Sequence, residues 1–161
     1  MSYKIIDNAL NKKDFLLIQE NLMGRNFAWY YHKDVAHKDE IAEDFFFCHL
    51  FYINNQVTSQ SMVLLEPILN ILNPKALIRI KANLYPNLNK NIVNGSHIDF
   101  PFSHLGALFY INTNNGFTIL EDKTKIESIE NRLLLFDSSK PHQSTHCTDQ
   151  KVRININFNY F

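Results

Sequence analysis

Two side chains that could bind one metal ion lie close together in the stretch SHIDFPF, residues 96–102. His97 and Asp99 are two positions apart, so on an extended segment they point to the same side. A third ligand must come from elsewhere, and the best candidate is His142 in SSKPHQS, which follows the apolar run RLLLF. Two imidazoles and one carboxylate on one face of an ion leave its other positions open. That arrangement suits non-haem Fe(II) activating oxygen.

The His-x-Asp pattern is weak evidence by itself, because the chain has seven histidines and 16 acidic residues. A lone histidine such as His142 is more often a surface or hydrogen-bonded residue than a ligand. His146 competes with it, but only seven residues separate His146 from Arg153, which leaves little room for a turn and a returning strand. We therefore favour His142, and we expect His104 near the open end without a ligand role. The upstream histidines lack ligand spacing and are expected on the surface: His32, His37 and His49.

Arg153 adds weight to the metal-site interpretation. It lies 11 residues after His142 and is the only cation on the face of VRININFNYF that carries the asparagines. An arginine among uncharged polar groups can pair with a carboxylate through two parallel hydrogen bonds. A solvent-facing strand with an ordinary charge would show the same alternation. The asparagine row, Asn155, Asn157 and Asn159, fits either a cavity for a polar substrate or a hydrated barrel mouth.

Two helices are predicted in the first half of the chain. Asn11 caps the first, with Asp14 at its third position, and Gly24 ends it. The second lies in SQSMVLLEPILNILNP, residues 59–74, where apolar residues recur at helical spacing. Pro67 either kinks that helix or marks its start.

From residue 76 the apolar period changes from 3.6 to 2. Alternation runs through ALIRIKANLY and VRININFNYF, and the strand-like segments GALFYIN, GFTIL and RLLLF lie between them, separated by turn signals such as NTNNG and DSSKP. Helices followed by many short strands predict an α+β, mainly β domain. Its sheets would form a sandwich or barrel with the helices packed on one side.

Length and charge narrow the classes of function. The 161 residues are enough for one domain, 1–161, and too few for two domains of ordinary size. The formal net charge of zero gives no electrostatic argument for a nucleic-acid partner. No apolar run approaches the roughly 20 residues that cross a bilayer. The two cysteines form no CxxC pair, so we expect a protein of the reducing cytoplasm.

The motifs resemble those of the Fe(II)- and 2-oxoglutarate-dependent dioxygenases, nearest to the prolyl-4-hydroxylase-like branch. The resemblance rests on HIDF, RLLLFDSSKPH and KVRININFNYF, with IKANLYP and FYINTNNG in the same order, and similar compact sequences occur in marine bacteriophages. It covers residues 76–161 well and NFAWYY more loosely. It implies a double-stranded β-helix, a jelly-roll or cupin-like barrel, in residues 76–161, with residues 1–75 as helical support and cover.

The resemblance also implies roles for individual residues. His97, Asp99 and His142 would be the catalytic metal ligands that hold Fe(II). Arg153 would bind the distal carboxylate of 2-oxoglutarate, shared with Tyr110, and Tyr85 would line the same cosubstrate pocket.

The activity implied is hydroxylation of an unactivated C–H bond with O2, releasing succinate and CO2. The substrate would be a prolyl residue, another peptidyl residue, an amino acid or another small molecule, in the host cytoplasm if the chain is phage-encoded. No membrane partner is expected. The alternative is a metal-binding cupin-like or jelly-roll protein without oxygenase activity.

Overall fold

The protein is mainly β, with two α-helices, in a computed structural model that describes residues 3–33 and 45–161. The first half contains β1 (Lys4–Ile6), α1 (Lys12–Met23), β2 (Tyr30–His32), β3 (Phe46–Ile53), β4 (Gln56–Val57), a 3-10 helix (Gln60–Leu65) and α2 (Glu66–Leu72). The second half contains β5 (Leu77–Pro86), β6 (Leu105–Tyr110), β7 (Asn114–Ile119), β8 (Lys125–Ser128), β9 (Arg132–Phe136), β10 (Gln143–Ser144) and β11 (Val152–Tyr160).

The strands form two antiparallel sheets. The large sheet has the order β1-β9-β6-β11-β5-β3-β2, with β4 added at β3, and the small sheet has the order β10-β7-β8. In the centre of the large sheet β11 pairs with β5, so that Arg153 lies opposite Tyr85 and Asn157 opposite Lys81. On its other side β11 pairs with β6, where Asn155 lies opposite Tyr110.

The predicted alternation along β5 and β11 separates an apolar face from a polar face. Ile80, Ala82, Ile154, Ile156 and Phe158 join the main core, to which α1 also contributes. The residues between them point to the opposite face, towards the small sheet. Both faces of β11 are therefore buried, which is why its asparagines are enclosed rather than exposed.

The helices form where the sequence predicts them. The side chain of Asn11 accepts a hydrogen bond from the backbone N–H of Asp14, and α1 ends at Gly24. Pro67 lies in the first turn of α2, where its missing N–H costs nothing. Pro67 therefore marks the start of this helix and does not kink it.

Residues 1–75 are not only the helical support that the sequence predicts. Within their described part lie strands β1 to β4, and β3 pairs directly with β5 in the large sheet. Residues on both faces of β3 are buried, Phe46 and Cys48 on one and Phe51 on the other, so the segment lacks the polar alternation that marks a half-buried strand.

The surface positions predicted for the upstream histidines are only partly right. His32 is exposed, as predicted, whereas His37 lies outside the described residues. The prediction for His49 is wrong, because it is 8% exposed, with Nδ1 2.8 Å from the Ala28 carbonyl oxygen and Nε2 2.7 Å from Ser59 Oγ. These two partners satisfy the ring inside the protein.

No helix in the described ranges is both long enough and apolar enough to span a bilayer.

Candidate metal centre and anion pocket

The three predicted metal ligands come together at one end of the polar face. The donor atoms of His97, Asp99 and His142 all lie within 4.8 Å of one another. His97 and His142 form an isolated antiparallel bridge, each donating its backbone N–H to the carbonyl of the other, at 3.0 and 2.9 Å. Nε2 of His142 lies 3.9 Å from Oδ2 of Asp99. The backbone thus places three donors so that they can converge on one ion.

Both imidazoles are held in an orientation that suits a metal ligand. Nδ1 of His142 lies 2.9 Å from the carbonyl oxygen of Lys140, and Nδ1 of His97 lies 3.3 Å from that of Gly95. A carbonyl only accepts, so Nδ1 carries the proton and Nε2 keeps its lone pair for an ion. Backbone bonds of this kind commonly orient metal-binding histidines. The donor set therefore fits a divalent metal.

The carboxylate of Asp99 is fixed by three donors that sequence reasoning missed. Arg79 Nη2 donates to Oδ1 at 2.7 Å, while Asn157 Nδ2 and Asn159 Nδ2 donate to Oδ2 at 3.1 and 2.8 Å. Burial by itself would raise the pKa of Asp99, but Arg79, His142 and the two amides together hold that pKa well below its usual value. Asp99 is therefore ionised and oriented.

His97 is kept neutral by its surroundings. Burial, and then the neighbouring His142, lower the pKa of His97 below its ordinary value, and these effects exceed the opposing effect of Asp99. A metal-binding imidazole must be unprotonated. Protons therefore compete with a metal for this nitrogen only below the usual range of histidine.

His104 contacts residues that orient Asp99, and it is not one of the three candidate metal ligands. It is 4% exposed, and its Nε2 lies 2.7 Å from Ser138 Oγ and 3.3 Å from Nδ2 of Asn159. Asn159 Nδ2 donates both to Ser138 Oγ, at 3.1 Å, and to Asp99. His104 thus belongs to the network that orients the carboxylate.

Arg153 lies at the other end of the same polar face and is completely buried. Its Nε donates to Ser128 Oγ at 2.7 Å, Nη2 to Thr118 Oγ1 at 3.0 Å, and Nη1 to the Thr145 carbonyl at 3.3 Å. In the two described ranges, no carboxylate forms an ion pair with this guanidinium. A buried cation without a counter-charge is costly, so the arrangement favours an anion brought in by a ligand.

Close packing fixes the stem of Arg153. A methyl group added at Gly116 would lie 2.6 Å from Arg153 Cδ and 3.1 Å from the His146 carbonyl oxygen. The backbone of β7 therefore passes so near the arginine that only a glycine leaves room for it.

Two tyrosines flank the guanidinium. The Arg153 Cζ atom lies 5.3 Å from the ring centroid of Tyr85 and 5.8 Å from that of Tyr110. The Tyr110 hydroxyl donates to Thr118 Oγ1 at 2.9 Å. Burial raises the pKa of both phenols despite the nearby arginine, so both hydroxyls stay protonated. They remain hydrogen-bond donors at neutral pH.

His146 lies near Arg153 and away from the three candidate metal ligands. Its Nδ1 is 2.7 Å from the carbonyl oxygen of Pro86, and its ring packs edge-on against Tyr85 at 5.7 Å. Of the two histidines weighed from the sequence, His142 is thus the one that lies with His97 and Asp99.

One cavity extends from the metal end to Tyr85 and Thr118, two side chains that contact the buried Arg153. It encloses about 440 Å³ of space between the atoms, a volume that includes its open mouth. His97, Asp99 and His142 line one end, and Tyr85 and Thr118 line the other. Between them the wall carries polar side chains from the large sheet: Lys81, Asn83, Asn155 and Asn157.

The sequence matches no protein-family model and no curated protein.

Solved structures, in contrast, match along nearly the whole chain. An oxidoreductase of the 2OG-Fe(II) oxygenase family from Burkholderia pseudomallei superposes with a TM-score of 0.74 at 8% identity, over 98% of this chain and 84% of that one. A prolyl hydroxylase from Trichoplax adhaerens, in complex with a hypoxia inducible factor peptide, gives a TM-score of 0.68 at 19% identity, over 99% of this chain and 83% of that one.

A viral collagen prolyl hydroxylase from Paramecium Bursaria Chlorella virus-1, solved with 2-oxoglutarate, gives a TM-score of 0.65 at 12% identity, over 99% of this chain and 95% of that one. The resemblance to this superfamily that the motifs indicate is therefore confirmed in three dimensions: the chain has the fold of the 2-oxoglutarate- and Fe(II)-dependent oxygenases, prolyl hydroxylases among them.

Proposed function

We propose that the protein is an Fe(II)- and 2-oxoglutarate-dependent oxygenase. The observation that carries this proposal is the pairing of two features in one cavity. A His-Asp-His donor set lies at one end, and the other end is lined by Tyr85 and Thr118. Both of these side chains contact Arg153, a buried arginine without a carboxylate partner among the described residues. A dicarboxylate that chelates a metal with one end and pairs with arginine at the other would satisfy both.

The two sheets support a double-stranded β-helix as the finer description of this fold. Arg153 on β11 of the large sheet contacts Thr118 on β7 and Ser128 on β8 of the small sheet. The sheets therefore face one another across the polar cavity, as in a jelly-roll barrel.

The distance between the two ends suits the cosubstrate. Asn157, which bonds to Asp99, is four residues beyond Arg153 on β11. At about 3.3 Å per residue the two positions are roughly 13 Å apart along the strand. In this proposal a five-carbon diacid bridges the metal ligands and the guanidinium within that interval.

The residues of the chain would then have distinct roles. His97 and His142 would hold Fe(II) through Nε2, and Asp99 through a carboxylate oxygen. Arg153 would pair with the distal carboxylate of 2-oxoglutarate, Tyr110 would turn its hydroxyl from Thr118 to the same carboxylate, and Tyr85 would line the pocket. The ion, when bound, supplies oxygen activation coupled to decarboxylation of 2-oxoglutarate to succinate and CO2. The substrate C–H bond that is hydroxylated belongs to an amino acid or a peptidyl residue such as proline.

The alternative is a metal-binding cupin-like or jelly-roll protein without oxygenase activity. Arg153 favours the oxygenase, because a barrel that only binds a metal has no need of a buried guanidinium flanked by two tyrosines. A fold alone does not decide between these functions, so the argument depends on the site.

Succinate formation tests the proposal. With Fe(II), 2-oxoglutarate and O2, the wild-type protein should release succinate, slowly if no substrate is present. The variant His97→Ala should lose this turnover, because one of three metal donors is gone. The control is His32→Ala, which removes an exposed imidazole outside the cavity. Equal turnover in His97→Ala and wild type would remove His97 from the proposed site.

A further inference from the structure

Lys81 is a cavity residue to which the proposed function gives no role. It lies on β5 opposite Asn157, on the cavity wall near the metal end. Its Nζ is 5.4 Å from the ring centroid of Phe46, which holds the ammonium group over an aromatic face. In the described part of the chain, this ammonium forms no ion pair.

A second cation at this place is unfavourable unless an anion joins it. Burial, and then the charge of Arg79, lower the pKa of Lys81 to about 8, against the opposing effect of Asp99. Asp99 is already occupied by Arg79 and two asparagine amides. A methionine or leucine would fill the same wall without the cost of a partly buried charge. Lys81 is therefore suited to an anionic group that enters the cavity.

Two buried amide oxygens near Lys81 lack donors. Asn157 is 6% exposed, and its Nδ2 faces the Asp99 carboxylate, which can only accept, so its Oδ1 points elsewhere. Asn83 is 4% exposed, and its Nδ2 donates to Oδ1 of Asn155. Within the described ranges, neither Oδ1 has a hydrogen-bond partner. Such acceptors call for N–H or O–H groups from a ligand.

We propose that Lys81, Asn83 and Asn157 bind the carboxylate and the amino group of a free α-amino acid, which is the substrate. Lys81 pairs with the α-carboxylate, and the two amide oxygens accept from the α-ammonium. One ammonium group and two amide oxygens match this zwitterion in charge and in hydrogen bonding. A residue inside a peptide has neither a free α-carboxylate for Lys81 nor a free α-ammonium group for the two amide oxygens. This inference rests on the proposed function, since it names the substrate class of the same site.

Calorimetry on protein loaded with Zn(II) tests the inference without turnover, since Zn(II) accepts the same donors and does no redox chemistry. The first titration is with 2-oxoglutarate, in wild type, Lys81→Met and the control Lys125→Met. Lys125 also lies over a phenylalanine ring, 4.8 Å from the ring centroid of Phe117, but its side chain is exposed and lies outside the cavity. All three proteins should bind 2-oxoglutarate equally. Weaker binding in Lys81→Met alone would assign Lys81 to the cosubstrate and overturn the inference.

The second titration adds common L-amino acids, their carboxamides and their N-acetyl derivatives, one at a time, to wild type saturated with 2-oxoglutarate. At least one free amino acid should bind, and both of its derivatives should bind about ten-fold more weakly or worse, as expected when a charge-assisted bond is lost. Lys81→Met should remove the preference for the acid over the carboxamide, and Lys125→Met should keep it.

Either of two results would overturn the inference: no free amino acid binds better than its derivatives, or the preference persists in Lys81→Met. Failure of the proposed function looks different, because the wild-type protein would then not bind 2-oxoglutarate at all.

Discussion

Replacing Arg153 with methionine should weaken 2-oxoglutarate binding by about 30-fold or more, while metal binding stays unchanged. Truncating one partner of a buried, hydrogen-bonded charge pair typically costs about 2–5 kcal/mol, and 1.4 kcal/mol is a factor of ten. Arg153 is fully buried, so no water screens the bond to the distal carboxylate. Calorimetric titration of the metal-loaded protein measures the change.

Two further variants show whether the loss of affinity comes from the geometry of the guanidinium group at this position. Arg153→Lys keeps the positive charge but loses the planar fork, so its affinity should lie between those of wild type and Arg153→Met. Arg132→Met is the matched control, since Arg132 pairs with Asp7 outside the cavity at 2.6 Å. Unchanged affinity in a folded Arg153→Met variant would contradict the role of Arg153.

Replacing His142 with alanine should reduce metal affinity by more than the roughly 10–100-fold typical of losing an outer-shell partner, because a direct ligand is lost. The imidazole of His142 is 5% exposed, and its bond to the Lys140 carbonyl leaves Nε2 free for the ion. Anaerobic titration with Fe(II), or titration with Zn(II) in air, measures the affinity.

The control for His142→Ala is Gln143→Ala, the next residue along the same cavity wall, which offers no strong metal ligand. Thermal melting of both metal-free variants shows whether the fold is kept. If a folded His142→Ala variant bound the metal as tightly as Gln143→Ala, His142 would not be a ligand.

Much of the cavity was predictable because strand parity is a local property. The alternation in ALIRIKANLY and VRININFNYF places Tyr85 on the polar face of one strand and Arg153 on the polar face of the other, and the structure pairs the two residues directly. The two-residue spacing of His97 and Asp99 works in the same way. The alternation does not show whether the polar face meets solvent or a second sheet, and β7 and β8 settle that by enclosing Arg153.

The partners of Asp99 were not predictable, because they come from distant parts of the chain. Arg79 is 20 residues before it, and Asn159 is 60 residues after it. Only the pairing of β5 with β11 brings them to one carboxylate. Likewise, β3 and the buried His49 were missed because an apolar run covered on both faces shows no period of two.

The most direct test of the central claim is anaerobic visible absorption of the Fe(II)-loaded protein during titration with 2-oxoglutarate. If His97, Asp99 and His142 hold the ion at one end of the cavity and Arg153 binds the cosubstrate beyond the other end, a weak charge-transfer band should grow and saturate at one equivalent of 2-oxoglutarate. The same titration of His142→Ala should show no band. A wild-type protein without the band, or a variant with the full band, would contradict a shared site for metal and cosubstrate.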